Sequence, residues 1–462
     1  MRLKLLTFAL ALAVLPLAGH SEDLLDAYRE ARANDPTLSQ SDAQRLSTSE
    51  GVPQARALLL PQISGTVSLN QNSSSGSQSL SSDGSGPYFD AGHTRTRGVS
   101  ASLSQSVFNL SNWANLSAAK SSSEAGDATY QAAVQALYVR VTTAYFNVLT
   151  SADQLTFSKA NEEALRQAYE QADQRFKVGL SAVTDVYQAK SEYEQAKAGT
   201  IQAENSLNDA KEALTQITGK PTGDLKKLRE DLPLDPPSPS DPKEWVAQAL
   251  KNNPTIQSQQ LSVDAAEHNI DAARAGHLPT ISASVTRGKS NSWAENRLPG
   301  STSAAIVNDA QNGLGNGANG RWGTTIGLTL NVPIFEGGLT QSKVRQSIYE
   351  RDSAQDSLEI ERRQVTRDTL NFYRTAVAGI AQVEAAKASV DSGQKALEAT
   401  RAGFDVGTQT MLNVLTAIQT LTQAQSTYSQ NRHQFVLNKL QLKQQAGTID
   451  MKDMEAVNSL LQ

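Results

Sequence analysis

The most constraining feature of this sequence is a long stretch, from Leu110 to Gly219, that contains no proline. Proline costs about 3 kcal/mol inside a helix, so its absence permits very long helices. At about 1.5 Å per residue, a helix from Leu110 to Phe176 would extend ~100 Å, far more than a compact domain needs. Gly179 predicts a tight turn that leads into a second, antiparallel helix. The rod itself is therefore predicted to be the working part of the molecule.

The second of these helices carries two registers that repeat every seven residues and lie three residues apart. Mostly apolar side chains fill them: Val186, Tyr193, Thr200, Leu207 and Leu214 in one, and Ala189, Ala196, Ala203, Ala210 and Ile217 in the other. Such spacing is typical of a coiled-coil seam. Helical seams of this kind need few aromatic side chains, in agreement with an aromatic content of only 5%.

The composition excludes several classes of function. The chain has no cysteine, which rules out disulfides, thiol catalysis, thiolate metal sites and lipid attachment at a cysteine behind the leader. A formal net charge of -5 gives no reason to expect nucleic acid as a partner. Neither a nucleophile–base arrangement nor a carboxylate pair can be recognised. The sequence therefore predicts a protein that is not an enzyme and that holds no cofactor or metal.

The N-terminus has the pattern of a secretory signal peptide over residues 1–21. Arg2 and Lys4 supply the charged region, and an apolar run from Leu5 to Gly19 follows. Since no later segment is apolar enough to span a bilayer as a helix, any further membrane crossing must use strands.

The rest of the chain contains one pattern twice. Pro36 aligns with Pro254, and Gly179 aligns with Gly407. Each copy predicts two short helices, a pair of strands joined by a polar loop, and a hairpin of long helices. The predicted divisions are a signal peptide (1–21), first-copy short helices (22–60), a first strand pair (61–108), a first long hairpin (109–219), a proline-rich connector (220–243), second-copy short helices (244–279), a second strand pair (280–335), a second long hairpin (336–446) and a C-terminal tail (447–462).

The four predicted strands alternate apolar with small or polar residues, which indicates one apolar face. We predict that this face contacts lipid through Ile63, Val67, Leu69, Val99, Leu103, Ile281, Val285, Ile326, Leu328 and Leu330. Trp322, Phe108 and Phe335 at strand ends favour an aromatic girdle, although each alone could be an ordinary packed ring. The Ser- and Gly-rich segments from Ser73 to Thr96 and from Lys289 to Gly320 are either disordered linkers or long outer loops.

The number of strands constrains the assembly. Four strands cannot close a membrane barrel, because the smallest single-chain barrels use about eight. Open sheet edges in lipid would leave backbone N–H and C=O groups unsatisfied. Several chains must therefore pool their strands, and the residues alone leave two, three or more copies open.

At its two glycine turns and in the order of its elements, the sequence resembles the TolC family of outer-membrane efflux proteins. The matching segments are RFKVGLSAVTDV, from Arg175 to Val186, and GFDVGTQTMLNVLTA, from Gly403 to Ala417. The resemblance implies a mixed α and β fold. In it a homotrimer pools twelve strands in an outer-membrane barrel that continues into a periplasmic barrel of helices. It also implies an export duct for drugs, small molecules or secreted proteins. Such a duct works with a periplasmic adaptor and an inner-membrane transporter.

The resemblance further implies a periplasmic gate, and the matching positions are Asp185, Phe404, Gln409, Asn413 and Thr416. Asp185 keeps the family's aspartate, whereas Phe404 and Gln409 stand where the family has tyrosine and arginine. Asn413 and Thr416 replace its two ring aspartates. Because an Asp–Arg contact is stronger than a neutral hydrogen bond, we expect a weaker ionic latch and closure by packing at the tips. Asp185 could instead be a solvated turn residue or belong to a helix N-cap near Ser181.

The surface for the adaptor is predicted at the two tips, in Arg175, Phe176, Val178, Gly179, Leu180, Val406, Gly407 and Thr408. The same residues could form nothing more than hairpin turns. Two other functions stay open: a structural or adhesive trimeric coiled coil anchored in the outer membrane, and a soluble periplasmic scaffold. The adhesive alternative does not explain two strand pairs in each chain.

Overall fold

The computed structural model describes residues 22–79, 88–297, 304–307 and 320–462. The predicted signal peptide lies outside the described residues, as do parts of both predicted loops. The helices of the described chain are α1 (Leu24–Asn34), α2 (Pro36–Ser49), α3 (Gly51–Ala57), α4 (Leu110–Lys177), α5 (Val183–Thr218), α6 (Pro242–Asn252), α7 (Pro254–Arg274), α8 (Leu339–Asp405), α9 (Met411–Gln445) and α10 (Met451–Asn458).

The chain divides into two compact units. One, the helical unit, comprises Met1–Leu46, Ala125–Gln260 and Asp356–Gln462. The other, the strand unit, comprises Ser47–Glu124 and Leu261–Gln355. No helix in the described part of the chain is both long and apolar enough to cross a membrane.

Proline separates the short helices of both copies, as predicted. The carboxylate of Asp35 accepts a hydrogen bond of 2.9 Å from the backbone N–H of Leu38, just inside α2. The side chain of Asn253 caps α7 in the same way, through the N–H of Thr255 at 2.9 Å. One prediction was wrong, because the first copy contains three short helices rather than two. The break falls just before Gly51, and α7 continues without such a break.

The long helices match the lengths that the proline-free stretches predict. α4 and α8 contain 68 and 67 residues, and their partners α5 and α9 contain 36 and 35. The heptad positions Val186, Ala189, Thr200, Ala203 and Leu214 are all buried in α5. Their burial confirms the predicted seam.

The connector between the two copies is not helical, and it packs against the helical unit instead of running free. Short β-bridges join Leu225 to Glu22 and Leu228 to Leu461. The hydroxyl of Tyr145 on α4 lies 3.1 Å from the carbonyl of Glu22 and 3.0 Å from that of Lys226. These contacts join the segments around Glu22 and Leu461 to the connector, and Tyr145 ties Glu22 and the connector to α4.

Inside the helical unit, α4 and α9 share a polar cluster around His433. The His433 side chain is only 4% exposed, and its Nδ1 lies 2.8 Å from the hydroxyl of Thr150. The hydroxyl of Ser429 donates to the carboxylate of Asp153 at 2.5 Å. Burial lowers the pKa of His433 to about 4, against a smaller opposing effect of the Asp153 carboxylate. His433 is therefore a neutral core residue at pH 7.

The strands of the described chain are β1 (Gln62–Ser79), β2 (Tyr88–Phe108), β3 (Thr280–Arg297), β4 (Ala304–Val307) and β5 (Gly323–Asn331). All neighbours are antiparallel. β1 pairs with β2, β2 with β3, and β3 with β4 at one end and with β5 at the other. The prediction of uninterrupted loops from Ser73 and from Lys289 was wrong, because β1 and β3 continue through those positions. These Ser- and Asn-rich segments do not alternate apolar with polar side chains, yet their backbones still pair with a neighbouring strand.

The register places apolar and polar residues on opposite faces of this sheet. Ile63 lies opposite Leu103, Leu103 opposite Val285, and Val285 opposite Ile326, which makes one apolar row across four strands. One residue along, the row is polar throughout, with Ser64, Ser102, Thr286 and Thr325. Because side chains alternate with period two, the whole sheet has one face of each kind.

Candidate functional site at the hairpin tips

The two long hairpins end in the same turn. At the end of α4, the N–H of Leu180 bonds to the carbonyl of Arg175 at 2.8 Å, and Gly179 has φ +77°. At the end of α8, the N–H of Thr408 bonds to the carbonyl of Gly403 at 2.8 Å, and Gly407 has φ +83°. Both are Schellman-type endings, in which glycine takes a left-handed conformation that costs other residues energy. The predicted turns are therefore present at both positions.

The helices that leave these turns begin differently. Thr410 caps α9, and its side chain accepts from the N–H of Asn413 at 3.3 Å. The N-cap of α5 is Ala182, which has no side chain to cap with. The hydroxyl of Ser181 instead donates to the carboxylate of Asp185, at 2.7 Å. Asp185 lies in the first turn of α5, where a negative charge is favoured by the helix dipole.

The structure brings together only some of the predicted gate residues. The amide of Asn413 donates to the side-chain oxygen of Gln409 at 2.6 Å. The hydroxyl of Thr416 bonds back to its own helix, at the carbonyl of Leu412. Within the part of the chain that the structure describes, no hydrogen bond joins Asp185 to Phe404, Gln409 or Asn413.

A contact between Arg175 and Phe404 joins the two hairpins at this level. The guanidinium carbon of Arg175 on α4 lies 4.5 Å from the ring centroid of Phe404 on α8. A weak hydrogen bond, 3.5 Å long, also runs from Arg175 to the Phe404 carbonyl. Next to it, the amide of Gln171 donates to the carboxylate of Asp405 at 3.2 Å. Phe176 and Phe404 each lie three residues before a turn glycine, Gly179 or Gly407, a shared spacing that is visible in the sequence.

Phe404 belongs to an apolar cluster to which both hairpins contribute. Its side chain is 7% exposed, and Met411, Val414 and Leu415 of α9 are buried beside it together with Val186 of α5. At a fully buried position such an aromatic side chain contributes about 3 kcal/mol or more to stability. Packing of Phe404 therefore stabilises this site more than the neighbouring polar contacts do.

The turns themselves expose apolar side chains. Val178, Leu180 and Val406 are 69%, 70% and 76% exposed, and Phe176 is 43% exposed. Contiguous exposed apolar surface of this kind marks interaction sites in soluble parts of proteins. At the end of α4, Lys177 donates a hydrogen bond of 2.6 Å to the carboxylate of Asp173, and this contact raises the pKa of Lys177. The tips thus combine hydrogen-bonded glycine turns with exposed apolar side chains.

The predicted lipid-facing residues lie on the apolar face of the sheet. Ile63, Val67, Ile326 and Leu328 are each more than 70% exposed, and Leu103 is half-buried among them. The opposite face carries serine and threonine, with a hydrogen bond of 2.8 Å between the hydroxyls of Ser64 and Ser102.

Comparison with known proteins places this arrangement in a family. The model of the family described as outer membrane efflux protein matches the chain twice, over residues 27–220 and 245–448. The two matches coincide with the two copies of the internal duplication.

Outer membrane protein TolC of Escherichia coli (strain K12) is 33% identical over 447 residues, which cover 96% of this chain and 85% of that protein. Alkaline protease secretion protein AprF of Pseudomonas aeruginosa is 26% identical over 449 residues, with coverages of 94% and 86%. The solved structure of the outer membrane protein VceC from Vibrio cholerae shares the fold, with a TM-score of 0.72, 18% identity and coverages of 92% and 96%. The chain therefore belongs to the TolC-like outer membrane efflux proteins, and it is an export duct of the outer membrane with a large periplasmic part.

Proposed function

We propose that three copies of this chain pool their strands into one closed barrel in the outer membrane and form a continuous passive duct. The observation that carries this proposal is the two-faced sheet with unpaired edges. In the described residues, β1 pairs only with β2, and β5 pairs only with β3 along Thr280–Gly288. An apolar face needs lipid, and open edges in lipid leave several kcal/mol per backbone group unsatisfied. Pairing of β1 with β5 of a neighbouring copy removes both edges.

Cysteine cross-linking tests this pairing directly, because the chain has no cysteine of its own. Thr66→Cys in β1 is combined in turn with Thr325→Cys, Gly327→Cys or Thr329→Cys in β5. We expect at least one pair to give covalent trimers on a denaturing gel after oxidation. The control combines Ser100→Cys of the internal strand β2 with the same β5 positions, and it should give no cross-linked oligomer. Covalent products that stop at dimers, or none with any β5 position, would contradict the shared barrel.

The exposed apolar turns are the proposed docking surface for a periplasmic adaptor, which links the duct to an inner-membrane transporter. The two glycine turns leave Val178, Leu180 and Val406 exposed at the tips. A photo-reactive amino acid at Leu180 is expected to cross-link to the adaptor in cells. The same amino acid at Tyr349, an exposed position on α8 in the strand unit, is the control. Equal cross-linking at both positions would argue against a specific tip surface.

We also propose that the tips close the duct as a gate. Asp185, Gln409, Asn413 and Thr416 supply polar side chains at the tip, and the buried Phe404 supplies the packing. Closure then depends on the apolar cluster more than on charge. In this proposal the chain catalyses no reaction, and the transporter supplies the energy. Single-channel recording in planar bilayers separates a duct from an adhesive stalk, since a stalk conducts no current.

A further inference from the structure

The apolar face of the sheet ends in a group of cations. Along β2, Arg97 lies two residues beyond Val99, and along β3, Arg287 lies two residues beyond Val285. Lys289 follows Arg287 on the same face, directly opposite Val99. Because side chains on one face recur every second residue, all three cations share the face that carries the apolar rows.

A tryptophan lies among these cations. Trp322 precedes β5, and its ring centroid is 5.9 Å from the guanidinium carbon of Arg287 and 5.5 Å from the Nζ of Lys289. The ring is half-exposed. Tryptophan and long basic side chains are the residues that favour the level of lipid headgroups, where one end is apolar and the other polar.

The strand segments around this group carry no acidic residue, and the acidic residues of β2 and β3, Asp90 and Glu295, lie further along those strands. Residues 62–73, 95–108, 280–292 and 323–331 contain no aspartate or glutamate. Within the described part of the chain, Arg97, Arg287 and Lys289 form no ion pair. A basic group of this kind beside an apolar band is complementary to a lipid whose headgroup carries phosphate.

The cations lie near the middle of β2 and β3, beyond the apolar rows on the side that points away from the helices. β1 begins just after α3, and β2 runs directly into α4, so Arg97 is on the side of the β1–β2 connection. If the helices are periplasmic, as in the proposed function, this side meets the outward-facing leaflet. We propose that Arg97, Arg287, Lys289 and Trp322 form a binding site for the phosphate groups of an anionic lipid headgroup in that leaflet.

The test measures lipid selectivity in the reconstituted full chain. The protein is placed in phosphatidylcholine vesicles that contain a trace of spin-labelled phosphatidic acid or spin-labelled phosphatidylcholine. Electron paramagnetic resonance then gives the relative association of the two labels with the protein. We expect a preference for phosphatidic acid that falls with added salt, because screening weakens exposed charge pairs. In the variant R97Q/R287Q/K289Q, the preference for phosphatidic acid should fall at least about fivefold. A single basic residue near an anionic surface already has an effect of about this size.

The matched control is R274Q/K343Q/R345Q, which removes the same charge from exposed positions on helices of the strand unit. It should keep the preference of the unmodified protein. The proposed site would be overturned if R97Q/R287Q/K289Q kept the preference for phosphatidic acid, or if R274Q/K343Q/R345Q lost it to the same extent. A protein that restricts neither label would instead refute the membrane placement of the strands, and with it this proposal. Single-channel conductance of both variants checks that the duct still assembles.

Discussion

The contact between Arg175 and Phe404 allows a quantitative prediction about closure. Each chain holds its two hairpins together at the tip by this contact, at 4.5 Å, next to a buried apolar cluster. A cation–π contact contributes about 0.5–1 kcal/mol at exposed sites and about 2 kcal/mol when desolvated. Since Arg175 is half-buried, we assign about 1 kcal/mol per chain to it.

If the three contacts of the proposed trimer act independently, their contributions add to about 3 kcal/mol for the assembly. If the hairpins separate when the gate opens, loss of the contact shifts the closed-to-open ratio by on the order of 100-fold. Arg175→Gln removes the charge, and Phe404→Leu removes the ring while it keeps an apolar side chain. Both variants should show a much larger open fraction in single-channel recordings at neutral pH.

The double variant separates this contact from general damage to the tip. Because F404L already removes the contact, together with part of the ring's packing, R175Q/F404L should open little more than F404L alone. The control is Arg166→Gln, which removes a cation of the same helix whose ion pairs, to Glu163 and Glu170, stay within α4. Closed channels in R175Q, or full additivity in the double variant, would refute the reasoning.

Three further predictions concern the core, the docking surface and the pore. The buried neutral His433 has a pKa below its unfolded value, so the stability that it contributes is present above pH ~6.5 and is lost as pH falls toward about 4. In denaturant unfolding, the free energy of unfolding should fall by up to about 3 kcal/mol between these two pH values, and by less in His433→Asn. Gly179→Val strains a left-handed turn with open space around it, and we expect impaired export from cells while the trimer persists on a native gel. Trivalent cations at micromolar concentration should block the pore poorly, whereas N413D/T416D should restore block in bilayer recordings, because a carboxylate ring focuses negative potential.

Local signals predicted the parts of the fold that depend on local physics. Gly179 and Gly407 mark the turns because a left-handed backbone strongly favours glycine, and both have positive φ. Pro36 and Pro254 each begin a helix after a break, since the residue before proline avoids the helical conformation. The buried seam of α5 followed from a seven-residue repeat that is visible in the sequence.

Other features depend on partners that are distant in sequence. The continuation of β1 through Ser73 to Ser79 is held by backbone pairing with β2, and a run of serines carries no alternation that would reveal it. The contact of Arg175 with Phe404 spans both copies of the duplication, and spacing within either copy cannot predict it. The residues that match the family's gate, and the substitutions among them, were identifiable by resemblance, but the side chains that they contact in this chain were evident only from the packing.

The most direct test of the shared duct is the mass of the purified protein in detergent, measured by light scattering with the detergent contribution subtracted. Each chain of 462 residues supplies a sheet whose outer edges are open in the described residues, so the account predicts a stable particle of three chains. A stable monomer whose strands are nevertheless embedded in detergent, as judged by protection from protease, would contradict it.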